Sequence, residues 1–403
     1  MSVDEVGIKI GGRYELIQDV ASGGMATVWR AAVHGAAGFT RVVALKRIRE
    51  DLRGLPHIVD MFVEEARVGA ALRHPNVVQV HDFGVDENGD HYLVTEWVQG
   101  IHLGDYAQSY EVRGEKAPFE IVTAMAIGVL RALSAAHTRM EVGKPAPILH
   151  RDVTPQNILL DENGVVKLAD FGLARAMDRD RMTSPDIVKG KLSYMAPELT
   201  RGGLPTARSD LFSLGVVMWE TIAGQRLFDG LSDAEVYQML QAPKVPMLSM
   251  KRPDIPLSLA MQIHRALETD PAKRFQSAQE MLTELLKDQR RLPEPVDAPD
   301  ISQSVREAIR RLRASKTPEA ARLANEAAKN AVPKALAVPA FSNSPASRPD
   351  VSRQAAPSAK SKTPGAARVS SKGGARGSAP PPPLPGSGSS ERSQSVPPRP
   401  NKK

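Results

Sequence analysis

Residues 150–172 constrain this chain more than any other stretch. They read His150-Arg151-Asp152-Val153-Thr154-Pro155-Gln156-Asn157, then the apolar run Ile158-Leu159-Leu160, then, thirteen residues beyond Asn157, Asp170-Phe171-Gly172. Apolar strands flank a polar pair, an Asp and an Asn, with a second Asp on the next turn. A bland turn accounts for any one of these residues. It does not account for all of them in this order. Phosphoryl transfer needs such parts: a carboxylate to orient an attacking hydroxyl, and oxygen ligands for a Mg²⁺ that bridges phosphates.

The chain upstream, residues 14–98, is strand-rich. Residues 28–33 and 41–46 read as paired strands joined by a glycine-containing loop at 35–38. Pro56 suits a first helical turn, and Ile58, Met61, Phe62, Glu65, Val68 and Leu72 lie near one face of the helix that follows. Residues 77–83 and 91–94 are two further strands. Before the first pair comes Ala21-Ser22-Gly23-Gly24-Met25-Ala26-Thr27-Val28, a degenerate glycine-rich loop. A strand follows it, not a helix, which argues against a dinucleotide-binding βαβ unit. Small residues there let backbone N–H groups approach phosphate oxygens. Lys46 closes the run Val43-Ala44-Leu45-Lys46. With Val43 and Leu45 taken to share its face, it points inward and needs a partner: Glu65 on the next helix, or Glu64.

From residue 103 to about 289 the pattern turns helical, with helices expected at 119–138, 209–223, 233–241, 256–268 and 277–288. A small β-rich lobe before a larger helical lobe places a site in the cleft between them. Residues 289–332 read as a linker with two short helices, at 301–313 and 318–331. Residues 333–403 are rich in Pro, Ser and Ala, and such a segment buries too little apolar surface to offset its ordering entropy, so it is expected to be disordered. Residues 332–403 hold twelve basic and two acidic residues, a net +10, so the remainder carries −3 of the chain's formal +7. The basic balance therefore describes the tail, and no nucleic-acid partner is expected for the folded part. The chain has no cysteine, which excludes disulfides and zinc–thiolate sites and fits a cytoplasmic location. The first ten residues lack the apolar segment of a signal peptide. No run approaches 18 apolar residues, so no transmembrane helix is expected; residues 121–136, interrupted by Arg131, read as a buried core helix.

Residues 14–288 resemble the eukaryotic-like Ser/Thr protein kinase family, in particular its bacterial members. The motifs fall in family order: the glycine loop, Val43-Ala44-Leu45-Lys46, the helix Glu, residues 74–78, His150-Arg151-Asp152, Asp170-Phe171-Gly172 and Ala196-Pro197-Glu198. Asp210 to Gly215 looks like the buried helix that anchors the catalytic loop. Asp270 to Phe275 looks like the late motif whose Arg274 pairs with Glu198. The resemblance implies a two-lobed α+β kinase fold, with an N-lobe at 14–97 and a C-lobe at 98–288, and transfer of the γ-phosphoryl of ATP to Ser/Thr hydroxyls of protein substrates, autophosphorylation included.

It also assigns roles. Lys46 would hold the α/β-phosphates and pair with Glu65; Asp152 would be the catalytic base; Asn157 and Asp170 would ligate Mg²⁺, or Mn²⁺ in its place. Ala21, Ser22, Gly23 and Gly24 would cover the phosphates, Val28, Ala44 and Leu159 would sandwich adenine, Thr95 would be the gatekeeper, and Glu96 to Val98 the hinge. Arg151 would receive a phosphorylated activation-loop residue; Thr183 and Ser184 are the nearest hydroxyls, beside Arg175, Arg179 and Arg181. The chain departs from the family in places. Gly69 stands one turn after Glu65, where a larger apolar side chain is usual, which would leave that helix loosely held. Gln156 stands where a Glu directs basophilic kinases to arginine. Thr154 replaces the usual catalytic-loop Lys, and Lys191 replaces the usual activation-segment Thr, so by this resemblance the two have exchanged places and Lys191 would carry the catalytic charge. The alternative function is that of a pseudokinase, an ATP-binding scaffold. Partners implied besides substrates are a second kinase domain for phosphorylation in trans and a partner for the tail.

Overall fold

The computed structural model describes residues 4–171 and 192–315. Thr183, Ser184, Lys191, the arginines at 175, 179 and 181, the helix expected at 318–331 and the tail at 333–403 lie outside the described residues.

The first lobe is a six-stranded antiparallel sheet of order β1-β2-β3-β4-β6-β5. Its strands are β1 (Lys9–Ile10), β2 (Tyr14–Ser22), β3 (Ala26–His34), β4 (Thr40–Ile48), β5 (Val80–Val85) and β6 (His91–Glu96), with helix α1 (Pro56–Ala70) crossing between β4 and β5. Fifth-strand pairing begins later than the expected residue 77; Val77 makes only an isolated bridge to Leu168.

Side chains alternate across a strand, and β4 shows it. Val43 and Leu45 pack with Tyr14, Leu16, Trp29, Ala31, Tyr92 and Val94 on one face. The other face, with Ala26, Ile48 and Leu93, buries Ile58, Met61, Phe62 and Ala66 of α1. Lys46 therefore does not share a face with Val43 and Leu45, as the sequence reading had it. It points inward because it lies on the opposite face, with Ala44 two residues before it and Val28 paired beside it on β3.

The expectation for Gly69 is also corrected. A Cβ built on Gly69 would come within 2.7 Å of Val80 Cγ2. The space that a larger residue would take is already filled from β5, so α1 is held close to the sheet, not loosely. The methyl groups of a β-branched residue yield little.

The second lobe begins with β7 (Gly100–His102) and continues through α2 (Leu103–Glu111), α3 (Phe119–His137), the hairpin β8 (Met140–Glu141) and β9 (Lys144–Pro145), β10 (Ile158–Asp161) and β11 (Val166–Leu168). Strands β7, β10 and β11 form a small sheet of order β11-β10-β7. After residue 191 come α4 (Pro197–Thr200), α5 (Ala207–Ala223), α6 (Asp233–Leu240), α7 (Leu248–Lys251), α8 (Leu257–Ala266), α9 (Ala278–Gln289) and α10 (Ala298–Ser315). Helix α3 is long and apolar enough to cross a membrane, a point the apolar-run count missed. In the fold it is the core helix, with Leu130, Ala132, Leu133 and Ala136 fully buried. Helix α5 is cut out by its caps: Thr206 and Ser209 form a reciprocal capping box, and Gly224 ends it at φ +67°. Helix α2 was absent from the expected helices. Helix α10 replaces the expected short helix at 301–313 with eighteen residues that pack on the main core of this lobe.

If Val80 is what excludes a side chain at position 69, Gly69→Ala should destabilise the wild-type chain by about 1–3 kcal/mol through overpacking. In a Val80→Ala background the same change should become neutral or stabilising by up to about 1 kcal/mol, the helix preference of Ala over Gly. Urea unfolding of the four chains of this double-mutant cycle checks the sign reversal.

Candidate active site

A cleft of about 1040 Å³ is lined from both lobes. All the described nucleotide and catalytic residues expected from sequence line it: Ala21, Ser22, Gly23, Gly24, Val28, Ala44, Lys46, Glu65, Thr95, Glu96, Val98, Asp152, Asn157, Leu159 and Asp170. The β2–β3 turn closes with Gly23 N–H donating to Ala26 O at 2.9 Å. Neither Gly23 nor Gly24 has a positive φ, and a Cβ on either would meet nothing closer than 3.6 Å. The turn itself does not demand glycine, so the small residues leave room for something to approach the backbone.

The ammonium of Lys46 sits 2.7 Å from Glu65 Oε1 and 3.3 Å from Asp170 Oδ1. Glu65, not Glu64, is thus the partner on α1. Burial works to lower the Lys46 pKa, but the carboxylates of Asp170 and Glu65 outweigh it and hold the lysine protonated. For Glu65 burial is the dominant influence and raises its pKa to about 7, with Lys46 opposing and Asp170 adding repulsion. Its second oxygen, Oε2, is buried without a hydrogen-bond partner.

Across the cleft, the carboxylate of Asp210 on α5 grips the loop that carries Asp152. It accepts the backbone N–H of His150 at 2.9 Å, that of Arg151 at 2.7 Å and Nε2 of His137 at 2.8 Å. Burial acts to raise its pKa, but His137 and the His150 donor hold it below the usual range. Two non-glycine residues in this region have positive φ: Arg151 at +66° and Asp170 at +60°. His150 spans them. Its Nε2 donates to Ala169 O at 2.8 Å, and its Nδ1 accepts the Asp152 N–H at 3.2 Å. Its ring meets Phe171 edge-on at 4.6 Å.

Asn157 Nδ2 donates to Asp152 Oδ2 at 3.0 Å and to Asp152 O at 2.8 Å. The amide nitrogen is committed, which leaves Asn157 Oδ1 as the acceptor atom. With Asp170 it supplies two oxygen donors, one neutral and one anionic. Two protein oxygens plus phosphates suit Mg²⁺, which keeps waters and binds through few protein groups. The residues fit the ion.

At the hinge, Glu96 Oε1 accepts from Gln79 N at 2.8 Å and from Lys167 Nζ at 2.8 Å, fixing the strand end before Val98. Farther out, Arg274 is fully buried and forks onto Glu198, with contacts of 2.9 and 2.7 Å. That pair was expected. Among the lining residues that were not expected are His102, whose ring caps α2 by accepting the Asp105 N–H at 3.0 Å, and Asp105 itself. A histidine cap carries no common sequence signal.

The protein kinase domain profile matches residues 14–287. The chain is 36% identical over 272 residues to the tyrosine-protein kinase MasK of Myxococcus xanthus, covering 66% of this chain and 42% of that one. It is 33% identical over 276 residues to the serine/threonine-protein kinase PrkC of Bacillus subtilis, covering 68% of this chain and 40% of the relative. The chain thus spans about two-fifths of the length of these curated relatives. A crystal structure of the Mycobacterium tuberculosis PknI kinase domain superposes with a TM-score of 0.53 at 28% identity, covering 71% of this chain and 99% of that domain.

The raised pKa of Glu65 has a sign that activity can report. The carboxylate that holds Lys46 is present above about pH 7 and is lost as pH falls through that value. kcat/KM for ATP should therefore decline on the acid side with an inflection near pH 7. Glu65→Gln should be low at every pH and lack that inflection. A wild-type profile flat from pH 6 to 8 would contradict the coupling. In its profile match, its relatives and its two-lobed site, the chain belongs to the protein kinase family.

Proposed function

We propose that this chain is an active Ser/Thr protein kinase that transfers the γ-phosphoryl group of ATP, with Mg²⁺, to protein hydroxyls in the cytoplasm. The observation that carries the reading is the convergence on one cleft of the Lys46–Glu65–Asp170 cluster and the Asp152–Asn157 pair. Lys46, steadied by Glu65, meets the α/β-phosphates. The Gly23-Gly24 turn covers them. Val28, Ala44 and Leu159 enclose the adenine, and the backbone from Glu96 to Val98 reads its edge beside Thr95. Bound Mg²⁺, or Mn²⁺, supplies charge neutralisation at the phosphates, and Asp170 and Asn157 Oδ1 would hold it. Asp152 orients the substrate hydroxyl and takes its proton as the oxygen–phosphorus bond forms and the bond to ADP breaks. No observation favours a pseudokinase.

Lys46→Met, Asp152→Asn and Asp170→Ala should each abolish autophosphorylation and peptide phosphorylation in a folded chain. A fully active Asp152→Asn protein would overturn the assignment. In wild type first stripped by phosphatase and then given ATP, we expect phosphoserine and phosphothreonine, with Thr183 or Ser184 among the mapped sites, where Arg151 would receive the phosphate. Because MasK is named a tyrosine kinase, phosphotyrosine as the main product would reassign the acceptor class.

A second proposal concerns the exchanged residues. Thr154 is buried and lines the cleft, as does Leu192, which directly follows Lys191. We infer that Lys191 supplies the ammonium that the catalytic loop lacks at position 154, as a point charge on the transferring phosphate. Lys191→Thr should lose about 10²-fold or more in kcat, and Lys191→Thr with Thr154→Lys should recover much of it. Undiminished turnover in Lys191→Thr alone removes the catalytic role.

A further inference from the structure

Helix α10 lies outside the matched profile, which ends at residue 287, yet it is built into the lobe. Ile301, Val305 and Ala308 are buried with the main core. The Ser304 hydroxyl lies 2.8 Å from the Tyr106 hydroxyl and 3.3 Å from that of Tyr110, all three buried. Ser302 Oγ and Arg306 Nε both donate to Glu162 O, at 2.6 and 3.1 Å. Arg311 stacks over the Tyr110 ring at 4.5 Å and pairs with Glu115 at 3.0 Å. A Cβ on Gly164 would fall 1.9 Å from Ala298 O.

What α10 touches gives this packing its meaning. It lies against α2, β7 and β10. Those same elements present Gly100, His102, Asp105 and Leu159 to the cleft. His102 and Leu159 are register partners in the β7–β10 ladder. Tyr106, whose hydroxyl meets Ser304, immediately follows Asp105. A single layer, the β7–β10 pair and the first turns of α2, separates α10 from the nucleotide cleft. That layer packs against α10, and its α2 and β10 residues also share the main core with α3 and α5.

We propose that α10 is a positioning element of the ATP site: docked through Ile301, Ser304 and Val305, it holds α2, β7 and β10 where Asp105, His102 and Leu159 meet the nucleotide. This rests on the reading of the cleft as an ATP site. Loss of docking should weaken nucleotide binding and leave the chemistry at Asp152 and the peptide site largely alone. By linkage, nucleotide binding should tighten the docking by the same factor.

The test uses the full chain and a non-hydrolysable ATP analogue with Mg²⁺. Val305→Asp puts a carboxylate into a fully buried position. Its dissociation constant for the analogue should rise about 5- to 20-fold, within the usual range of coupling between sites. kcat at saturating ATP and KM for peptide should stay within about twofold of wild type. Ser304→Ala, a milder change, should shift affinity in the same direction by less. In the wild type, which needs no variant to fold, the analogue should slow amide hydrogen exchange across residues 301–308. If the wild type binds the analogue and exchange at 301–308 does not respond, the proposal is wrong. Exchange showing α10 released in Val305→Asp with affinity unchanged overturns it equally. A wild type that binds no nucleotide would instead sink the ATP-site reading itself, and the positioning role with it.

Discussion

The catalytic loop depends on one buried carboxylate. Asp210 takes the N–H groups of His150 and Arg151 with its two oxygens and the His137 ring with one of them. Its desolvation is offset because charge-assisted hydrogen bonds contribute about 1.5–3 kcal/mol each. The arrangement can therefore hold Arg151 at φ +66°, a conformation that costs a non-glycine residue about 1–3 kcal/mol. Turning the chain at Arg151 is what sends Asp152 towards Asn157 and the cleft. Remove the carboxylate, and neither the turn nor the His150 bridge to Ala169 has a reason to persist.

Glu65 is buried as deeply as Asp210 and behaves in the opposite way. Asp210 meets three donors; Glu65 meets one, Lys46, and leaves Oε2 without a partner. The count of donors decides which effect wins. Burial outweighs the single lysine at Glu65 and raises its pKa, whereas the donors around Asp210 keep it a carboxylate. The lobes thus differ in kind at the site. The C-lobe half is locked by satisfied charge. The N-lobe half, Lys46 and Glu65, shares a triad with Asp170 of the C-lobe, and its balance shifts when a proton, or a cation at Asp170, enters.

Much of this was legible in the residues. The order of His150, Asp152, Asn157 and Asp170 stands in the residues themselves, the pairing of Arg274 with Glu198 was implied by the family resemblance, and the fold brings each set together. What failed to show did so for physical reasons. The inward turn of Lys46 was expected on the wrong face, because Val43 and Leu45 stand close in sequence while the two-residue alternation of a strand puts them opposite Lys46. Gly69 looked like a missing side chain, since a sequence shows what a position lacks and not what a distant strand, here Val80, puts into the gap. His102 was invisible as a helix cap because it caps through a ring nitrogen, an acceptor only when that nitrogen carries no proton.

The end of the domain is the last such case. Motif spacing stops near residue 288, where the family's pattern stops, and the low-polarity signals beyond it are short. Burial places the physical boundary later. Ile301, Val305 and Ala308 recur at helical spacing and complete the core around Tyr106 and Tyr110. Gly164, inside the β10–β11 hairpin, must lack a side chain because Ala298 O occupies the place where its Cβ would be. Its φ of +86° makes the same demand locally, so the turn and the helix agree on one residue. A position within the matched region whose identity answers to a residue outside it belongs to one cooperative unit with that residue. The packed core of this chain therefore runs on past the matched region, and the elements behind its cleft pack against a helix that no catalytic motif announces.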